Sequence, residues 1–434
     1  MDRTLLRNGA MQALKVFACA VFLTTLSGCE GQIIGPPPPP IPPIPPPPAR
    51  ASWLSYKYPT PCVDCPELRD KVEEQAYYCS IGVTGGSDAN GIDPANCAMN
   101  QRPLLTLNAW KLANGFPTGA TPEAHAIYGN LGDLRIGRDM NCVKSTTGNT
   151  AGNIACYVTN YGPAPFLGDP DNPSDPNNKV NIDWLGVDNN FPGLPGAVED
   201  AIRHNAPFAT VAMVYNQAAA TSQSPNAVTF YVFGGDDNLF FSPGLDGEGF
   251  KTNPRMCMAC HGGKYNSTTH SVTDAQFLPF DVYYFQYSMQ AGYTIDDQQE
   301  GFRKLNALVN QTNPEPEIAA FIDGLYHSAV DTPRTVVADD SYMPDDWQGQ
   351  ETLYNSVYRP YCRMCHMASR DRSFLKYADF LRFAQQIEEK VCHSTDMPNA
   401  QVPFVRFWQD KIAQERLRQF LTDAGRTALY SCKE

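Results

Sequence analysis

Apolar and polar positions change period several times along this chain, and each period predicts a different element. Near the C terminus Phe404, Trp408 and Ile412 recur every four residues, Ala413, Leu417, Phe420 and Leu421 continue the apolar side, and Gly425 stands where the run can end. This predicts one long helix over 404–424 with a single apolar face. Ser373–Ile387, apolar at Phe374, Tyr377, Phe380, Leu381 and Ala384, predicts another helix, and Trp347–Tyr358 a further one. Phe302, Leu305, Leu308 and Val309 mark a helix, and Asn313-Pro314 is a start signal for the next, which carries Ile318, Phe321, Ile322 and Leu325. Upstream the period shortens. Phe208–Tyr215 and Ala227–Phe233 are rich in β-branched and aromatic residues, separated by polar, turn-prone ones, and predict paired strands. Pro103–Leu112 and Gly196–His204 predict shorter helices.

Residues 51–245 are broken by turn signals such as Gly85-Gly86 and Asn114-Gly115, so a mixed α and β region is expected there. The acidic run Gly168–Pro176 has Pro173 and no glycine where a calcium loop needs a ligand and a sharp turn, and reads as a solvated loop. His125 and His204 stand alone in sequence and read as structural or surface residues. No nucleotide-binding glycine loop and no Gly-x-Ser-x-Gly elbow occurs in this region. With 434 residues, 42% of them hydrophobic and 11% aromatic, the chain is globular and long enough for two or three domains. Its formal charge of −13 disfavours nucleic acid and suits partners with basic docking surfaces.

Fourteen cysteines are present. Cys62, Cys65, Cys79, Cys97, Cys142 and Cys156 crowd one stretch and, with Cys392 and Cys432, make an even set suited to disulfides in an oxidising compartment. Cys62-Val63-Asp64-Cys65 is followed by Pro66 and reads as structural. At the N terminus Arg3, Arg7 and Lys15 precede the apolar run Val16–Leu26, which is too short to span a bilayer and right for a signal-peptide core. Leu26-Ser27-Gly28-Cys29 resembles a bacterial lipobox, which implies cleavage before Cys29 and lipid attachment to it. Glu30 in place of Asp leaves out the best-known inner-membrane retention signal, so the outer membrane is favoured. From Pro36 to Pro48, eleven of thirteen residues are proline, which predicts a polyproline II spacer of roughly 40 Å.

Two pentapeptides carry the chemistry: Cys257-Met258-Ala259-Cys260-His261 and Cys362-Arg363-Met364-Cys365-His366. Each is C-x-x-C-H, in which two thiols can form thioethers with haem vinyl groups while the adjacent imidazole reaches the iron. A zinc ribbon would use the four thiols and leave both histidines unexplained. A thioredoxin-like site would need a buried strand before each pair, which Arg255-Met256 and Arg359-Pro360-Tyr361 do not supply.

The two motifs make the chain resemble the c-type cytochromes, which implies two covalently attached haem c groups, iron-based electron transfer and a place outside the cytoplasm. In residues 346–434 the order helix, C-x-x-C-H, helix, Met397-Pro398, helix is similar to a class I cytochrome c domain. That likeness implies His366 and Met397 as axial ligands, with His393 competing for the distal place and a Cys392–Cys432 disulfide possible. In the first unit Gly244–Pro254 is a glycine-rich loop where a helix would precede the motif, so beyond His261 its second axial ligand stays open among Met343, favoured, His270, His327, Met289 and Met140.

The expected architecture is multidomain: a disulfide-stapled mixed α+β N-terminal domain followed by mainly α, cytochrome c-like haem domains. Its parts are a lipoprotein signal peptide at 1–28, a lipid-anchored proline-rich linker at 29–50, the Cys-rich α+β domain at 51–245, a first haem c unit at 246–345 and a second at 346–434. The leading functional expectation is a lipid-anchored electron-transfer protein of the cell envelope, serving redox partner proteins and tied to the membrane through its anchor. The alternatives are a di-haem peroxidase-type enzyme with one open haem site, and a docking subunit of a redox complex. The docking reading predicts a sizeable exposed apolar patch on residues 51–245.

Overall fold

The computed structural model describes residues 70–83, 106–168, 179–180, 194–217, 228–245, 249–332, 336–368, 372–393 and 397–426, leaving out a few positions inside these spans. All of these lie within one compact unit covering residues 47–434, inside which the expected boundaries at 245 and 345 fall. The signal segment, Cys29, the proline-rich spacer, Cys62, Cys65, Cys97, Cys432 and most of the acidic run lie outside the described residues.

The unit is built on a six-stranded antiparallel sheet, a mixed α/β arrangement with helices on and beside the sheet. Its strands are β1 (Ala124–Asn130), β2 (Gly137–Lys144), β3 (Ile154–Tyr161), β4 (Pro207–Tyr215), β5 (Val228–Gly234) and β6 (Phe285–Gln286), in the spatial order β6-β1-β2-β3-β4-β5. The paired strands predicted from the Val- and Phe-rich runs are β4 and β5, in register Met213↔Phe230. Strands β1 and β2 carry no comparable apolar run, and the one in β3, Ile154–Val158, gives way to Thr159 and Asn160. They mix polar side chains such as Asp139, Asn141 and Asn160 with apolar ones, because both faces of the sheet are covered and one of them is partly polar.

Alternation along the strands sorts these residues. Arg138, Met140 and Cys142 of β2 share one face with Cys156 and Val158 of β3 and Val211 and Met213 of β4, since Met140 pairs with Val158, Val158 with Val211, and Cys156 with both Cys142 and Met213. Cys142 and Cys156, directly opposite each other, are joined by a disulfide. Cys79 and Cys392 each take part in a further, separate disulfide.

Side chains close both edges of the sheet. At the β1 edge, β6 pairs only with Gly129 and Asn130. Beyond it the Gln298 amide accepts from Ile127 N at 2.6 Å and donates to Ile127 O at 2.7 Å, doing what a neighbouring strand would do. Gln298 belongs to α5 (Ile295–Asn310), which approaches β1 so closely that a Cβ on Gly301 would meet His125 O at 2.2 Å. At the β5 edge Phe230 N donates to the Tyr77 hydroxyl at 2.7 Å, and Asn253 Nδ2 donates to Phe230 O at 3.0 Å. Tyr77 comes from α1 (Lys71–Ser80). Against the other face lie α2 (Leu107–Ala113), whose buried Trp110 meets Tyr157 and Tyr231, and α3 (Leu194–Arg203), which packs Val198 and Ala201 on Ile127 and Tyr161. There a Cβ on Gly137 would collide with Ala197 O.

The remaining helices fall near their predicted positions, three of them changed in form. The first motif sits on the short α4 (Arg255–His261), preceded by a loop and not by a helix, and α5 is followed by α6 (Pro316–Leu325) with proline in its first turn. Glu351–Leu353 runs into a π-helical stretch, Tyr354–Cys362, that contains Pro360; a proline inside a helix has no N–H for the regular ladder. The segment predicted at 373–387 forms α7 (Tyr377–Arg382) and α8 (Ala384–Ile387), continued by a π-helical turn to His393.

The single helix expected over 404–424 is two helices, α9 (Gln401–Gln409) and α10 (Lys411–Asp423). Asp410 separates them with extended backbone, and its carboxylate accepts from Ile412 N at 2.9 Å and Ala413 N at 3.1 Å, an N-cap that the four-residue apolar spacing concealed. A second aromatic cluster is centred on the fully buried Trp347, which stacks on Tyr358 at 4.9 Å and contacts Tyr354, Tyr377 and Phe380.

Replacing Gln298 by Leu leaves Ile127 N and O buried without partners. The variant should lose about 2–4 kcal/mol in urea unfolding, since each orphaned group costs about 1–3 kcal/mol.

Candidate functional site

The face of the sheet that carries Met140 and Met213 forms the floor of a cleft. Its walls include Tyr128, Asn130, Leu134 and Arg138 from the β1 side, Leu245 and Met256 from the β5 side, Phe277–Phe280 and Phe285. Cys257, Cys260 and His261 of the first motif line it, and so do Met364 and Cys365 of the second. The cleft is open at its mouth, and its lining is mostly apolar. Arg138 is the one Arg or Lys side chain among these wall residues. Next to Leu134, Arg135 is pulled down to about 10 by burial and by the charge of Arg406, and still carries its proton at neutral pH.

Two contacts bring the motifs together although they are far apart in sequence. Cys260 Sγ and Cys365 Sγ lie 3.5 Å apart, across a separation of 105 residues. The Arg363 guanidinium, inside the second motif and 2% exposed, forms an ion pair with Asp281, which follows directly on the wall segment Phe277–Phe280. Burial lowers Arg363 to about 9, which still leaves the guanidinium protonated at neutral pH. Met367 and Ala368 belong to the same hydrophobic cluster as the sheet, whereas Tyr358 and Phe374 belong to the Trp347 cluster. The second motif is the seam between the two.

Both motif histidines are oriented in the same way. His261 Nδ1 lies 2.8 Å from Gln276 O, and His366 Nδ1 lies 3.0 Å from Arg372 O. A carbonyl oxygen can only accept, so Nδ1 carries the proton in each ring and Nε2 presents its lone pair. The His261 ring packs on Phe230 of β5 with centroids 5.7 Å apart, and the His366 ring stacks on Phe374 at 4.4 Å. Burial pushes His366 down to about 4, which keeps it neutral. The Cys257 thiol is raised well above its ordinary range and Cys362 is pushed up to about 12, both by burial.

The four motif cysteines do not gather. Cys260 and Cys365 meet, but among the described residues no group of three or more His, Cys, Asp or Glu side chains is arranged to hold a metal ion. A tetrathiolate zinc site is therefore not what this geometry builds.

Of the side chains considered as distal ligands of the first unit, Met140 lines the cleft. Met343 packs instead against the Trp347 cluster, and Met289 is 93% exposed. His270 Nδ1 is 3.1 Å from the Tyr265 hydroxyl, and His327, 70% exposed, faces Asp339. Met397 is half-buried ahead of α9, its carbonyl accepting from Ala400 N at 3.2 Å, and it belongs to none of the hydrophobic clusters. His393 is exposed. His125 and His204 lie on the opposite face of the sheet, where both meet the Asp139 carboxylate, at 2.9 Å and 3.4 Å. The cleft residues that sequence reading missed include Arg138 and Tyr128, whose only signal was period-two alternation inside strands of mixed polarity, and Met213, whose strand was predicted but not its role.

Behind the first motif the Glu74 carboxylate accepts from Asn253 N at 2.8 Å, from Ser242 N at 3.1 Å and from Ser242 Oγ at 2.9 Å, fixing the loop that leads into α4. Arg255, the first residue of α4, clasps Glu73 of the same helix α1 through Nε at 2.6 Å and Nη2 at 3.2 Å. The chain matches no protein-family model, no curated protein and no solved structure. No helix among the described residues is long and apolar enough to cross a membrane.

Two predictions follow from this geometry. Burial raises Glu74 to about 7 against the hydrogen bonds that favour its ionised form, so the folded chain holds this proton more tightly than the unfolded one. Its contribution to stability is therefore greatest below the ordinary carboxylate range and falls as pH rises toward 7, by up to about 3 kcal/mol. Urea unfolding across that window should show the decline, and Glu74→Gln should flatten it. Arg363→Met strands a buried Asp281 carboxylate and should cost about 3–5 kcal/mol by the same measurement, more than the double variant Arg363→Met with Asp281→Asn.

Proposed function

We propose that the two motifs each bind one haem c covalently and that the chain relays single electrons between these haems and external redox partners. The observation that carries this reading is the shared setting of His261 and His366, each with Nδ1–H tied to a backbone carbonyl and Nε2 left as the basic nitrogen. That is the tautomer and orientation an axial ligand needs. Cys257 and Cys260 would attach the first group and Cys362 and Cys365 the second, with His261 and His366 as proximal ligands. The fit is supported at the first motif by an apolar cleft lined by both its thiols and its imidazole, with Arg138 suited to a propionate carboxylate.

Haem iron supplies the one-electron chemistry, and the protein's part is ligation, burial and spacing. The contact of Cys260 with Cys365 would bring the attachment edges of the two groups together, which favours rapid exchange between them. Met397 remains the proposed sixth ligand at the second motif. The acidic surface suits basic partners, and the N-terminal address proposes a lipid-anchored place in the cell envelope, with the outer membrane favoured. The docking alternative has less support. Among the described residues of 51–245 the exposed large apolar side chains are Val72 and Leu112, which stand singly and do not form a patch.

A pyridine haemochrome assay on protein made in a host that matures c-type cytochromes should give two haems per chain, and Cys362→Ala with Cys365→Ala should give one. Zinc in place of iron by elemental analysis would exclude the proposal.

A further inference from the structure

Resting on the haem reading above, we infer that Met140 is the sixth ligand at the first motif, so that the sheet itself completes that site. The cleft holds thioethers from four methionines, Met140, Met213, Met256 and Met364. Met256 precedes Cys257 on the segment that bears the first motif's thiols, and Met364 adjoins Cys365, whose sulfur meets that of Cys260, so both sit on the thiol side of the cleft. The choice is between the two methionines of the sheet floor.

The position of His261 separates them. Its ring packs on Phe230 of β5, and the cross-strand partner of Phe230 on β4 is Met213. Met213 therefore lies on the imidazole's own side of the cleft and is 7% exposed within the core. Met140 lies on β2, in the row that runs through Val158 of β3 to Val211 of β4. From β4 to β2 is two strand spacings, about 10 Å, and from β5 about 14 Å. Of the two, Met140 is the one set across the cleft from His261, with Val158 and Val211 lining the floor between, where a second ligand would have to come from. Met140 is half-buried and packs at the margin of the sheet's hydrophobic cluster, whereas Met213 is buried within it. This gives the sheet region a role that no motif in it announced.

The test uses holoprotein, wild type and the variants Met140→Ala, Met140→His and Met213→Ala, each with its haem count measured first. Ferric spectra and carbon monoxide binding to the reduced protein then read the coordination. The expected result is two low-spin haems in the wild type. Met140→Ala should convert one of them to a high-spin form that binds carbon monoxide at least tenfold faster, and Met140→His should restore a low-spin, bis-imidazole spectrum with a lowered potential. Met213→Ala should retain the wild-type spectrum. The inference is overturned if Met140→Ala leaves both spectra unchanged, if Met213→Ala opens the site instead, or if the wild type already has one haem open. A wild type that carries no haem defeats the haem reading itself, and the count shows this before any coordination is measured.

Discussion

A guanidinium taken out of water must be met by a carboxylate, and in this chain the guanidinium is Arg363, between the two cysteines of the second motif. Its partner Asp281 belongs to the loop that walls the first cleft. The two motifs are held in one place by this pair, and the rest of the arrangement depends on it. Cys365 can reach Cys260, Met364 can enter the first cleft, and Met367 and Ala368 can join the core of the sheet. The pair contributes less through net attraction, which desolvation largely offsets, than through the cost of any arrangement that separates its members.

The helical half of the chain was largely legible because its apolar residues repeat at helical spacing over uninterrupted stretches. Phe302, Leu305 and Val309 lie buried on α5 as their spacing requires. The failure at Asp410 is instructive: four-residue spacing persists across the break because α10 restarts in near phase, while Ile412, counted as apolar face, is 64% exposed. Strands β1–β3 were illegible for a different reason. Their faces meet unlike surroundings, an apolar cleft on one side and the polar contacts of Asp139, His125 and His204 on the other, so no run of β-branched residues announces them.

Of the candidate site, the four thiols and two imidazoles proposed to attach and ligate haem could be read directly, because C-x-x-C-H is a local pattern. What surrounds them could not. The acceptors of His261 and His366 are backbone carbonyls of Gln276 and Arg372, and any residue type would serve there. The approach of Cys260 to Cys365 is a property of the tertiary fold, invisible to spacing. The cleft floor comes from β2, β3 and β4, spread between roughly 40 and 120 residues upstream of the first motif, and the link between them is topological.

The covering of the outer strands bears on how copies of this chain meet one another. A strand edge with unpaired N–H and C=O groups is a template for a second sheet, and a chain crowded beside its own copies is exposed to that hazard. Here the groups at Ile127 and Phe230 are already engaged by Gln298, Tyr77 and Asn253, so an incoming strand would have to displace three buried side chains before gaining a bond. Lateral growth of the sheet is thereby discouraged, and encounters between molecules are left to the helical surfaces and the mouth of the cleft.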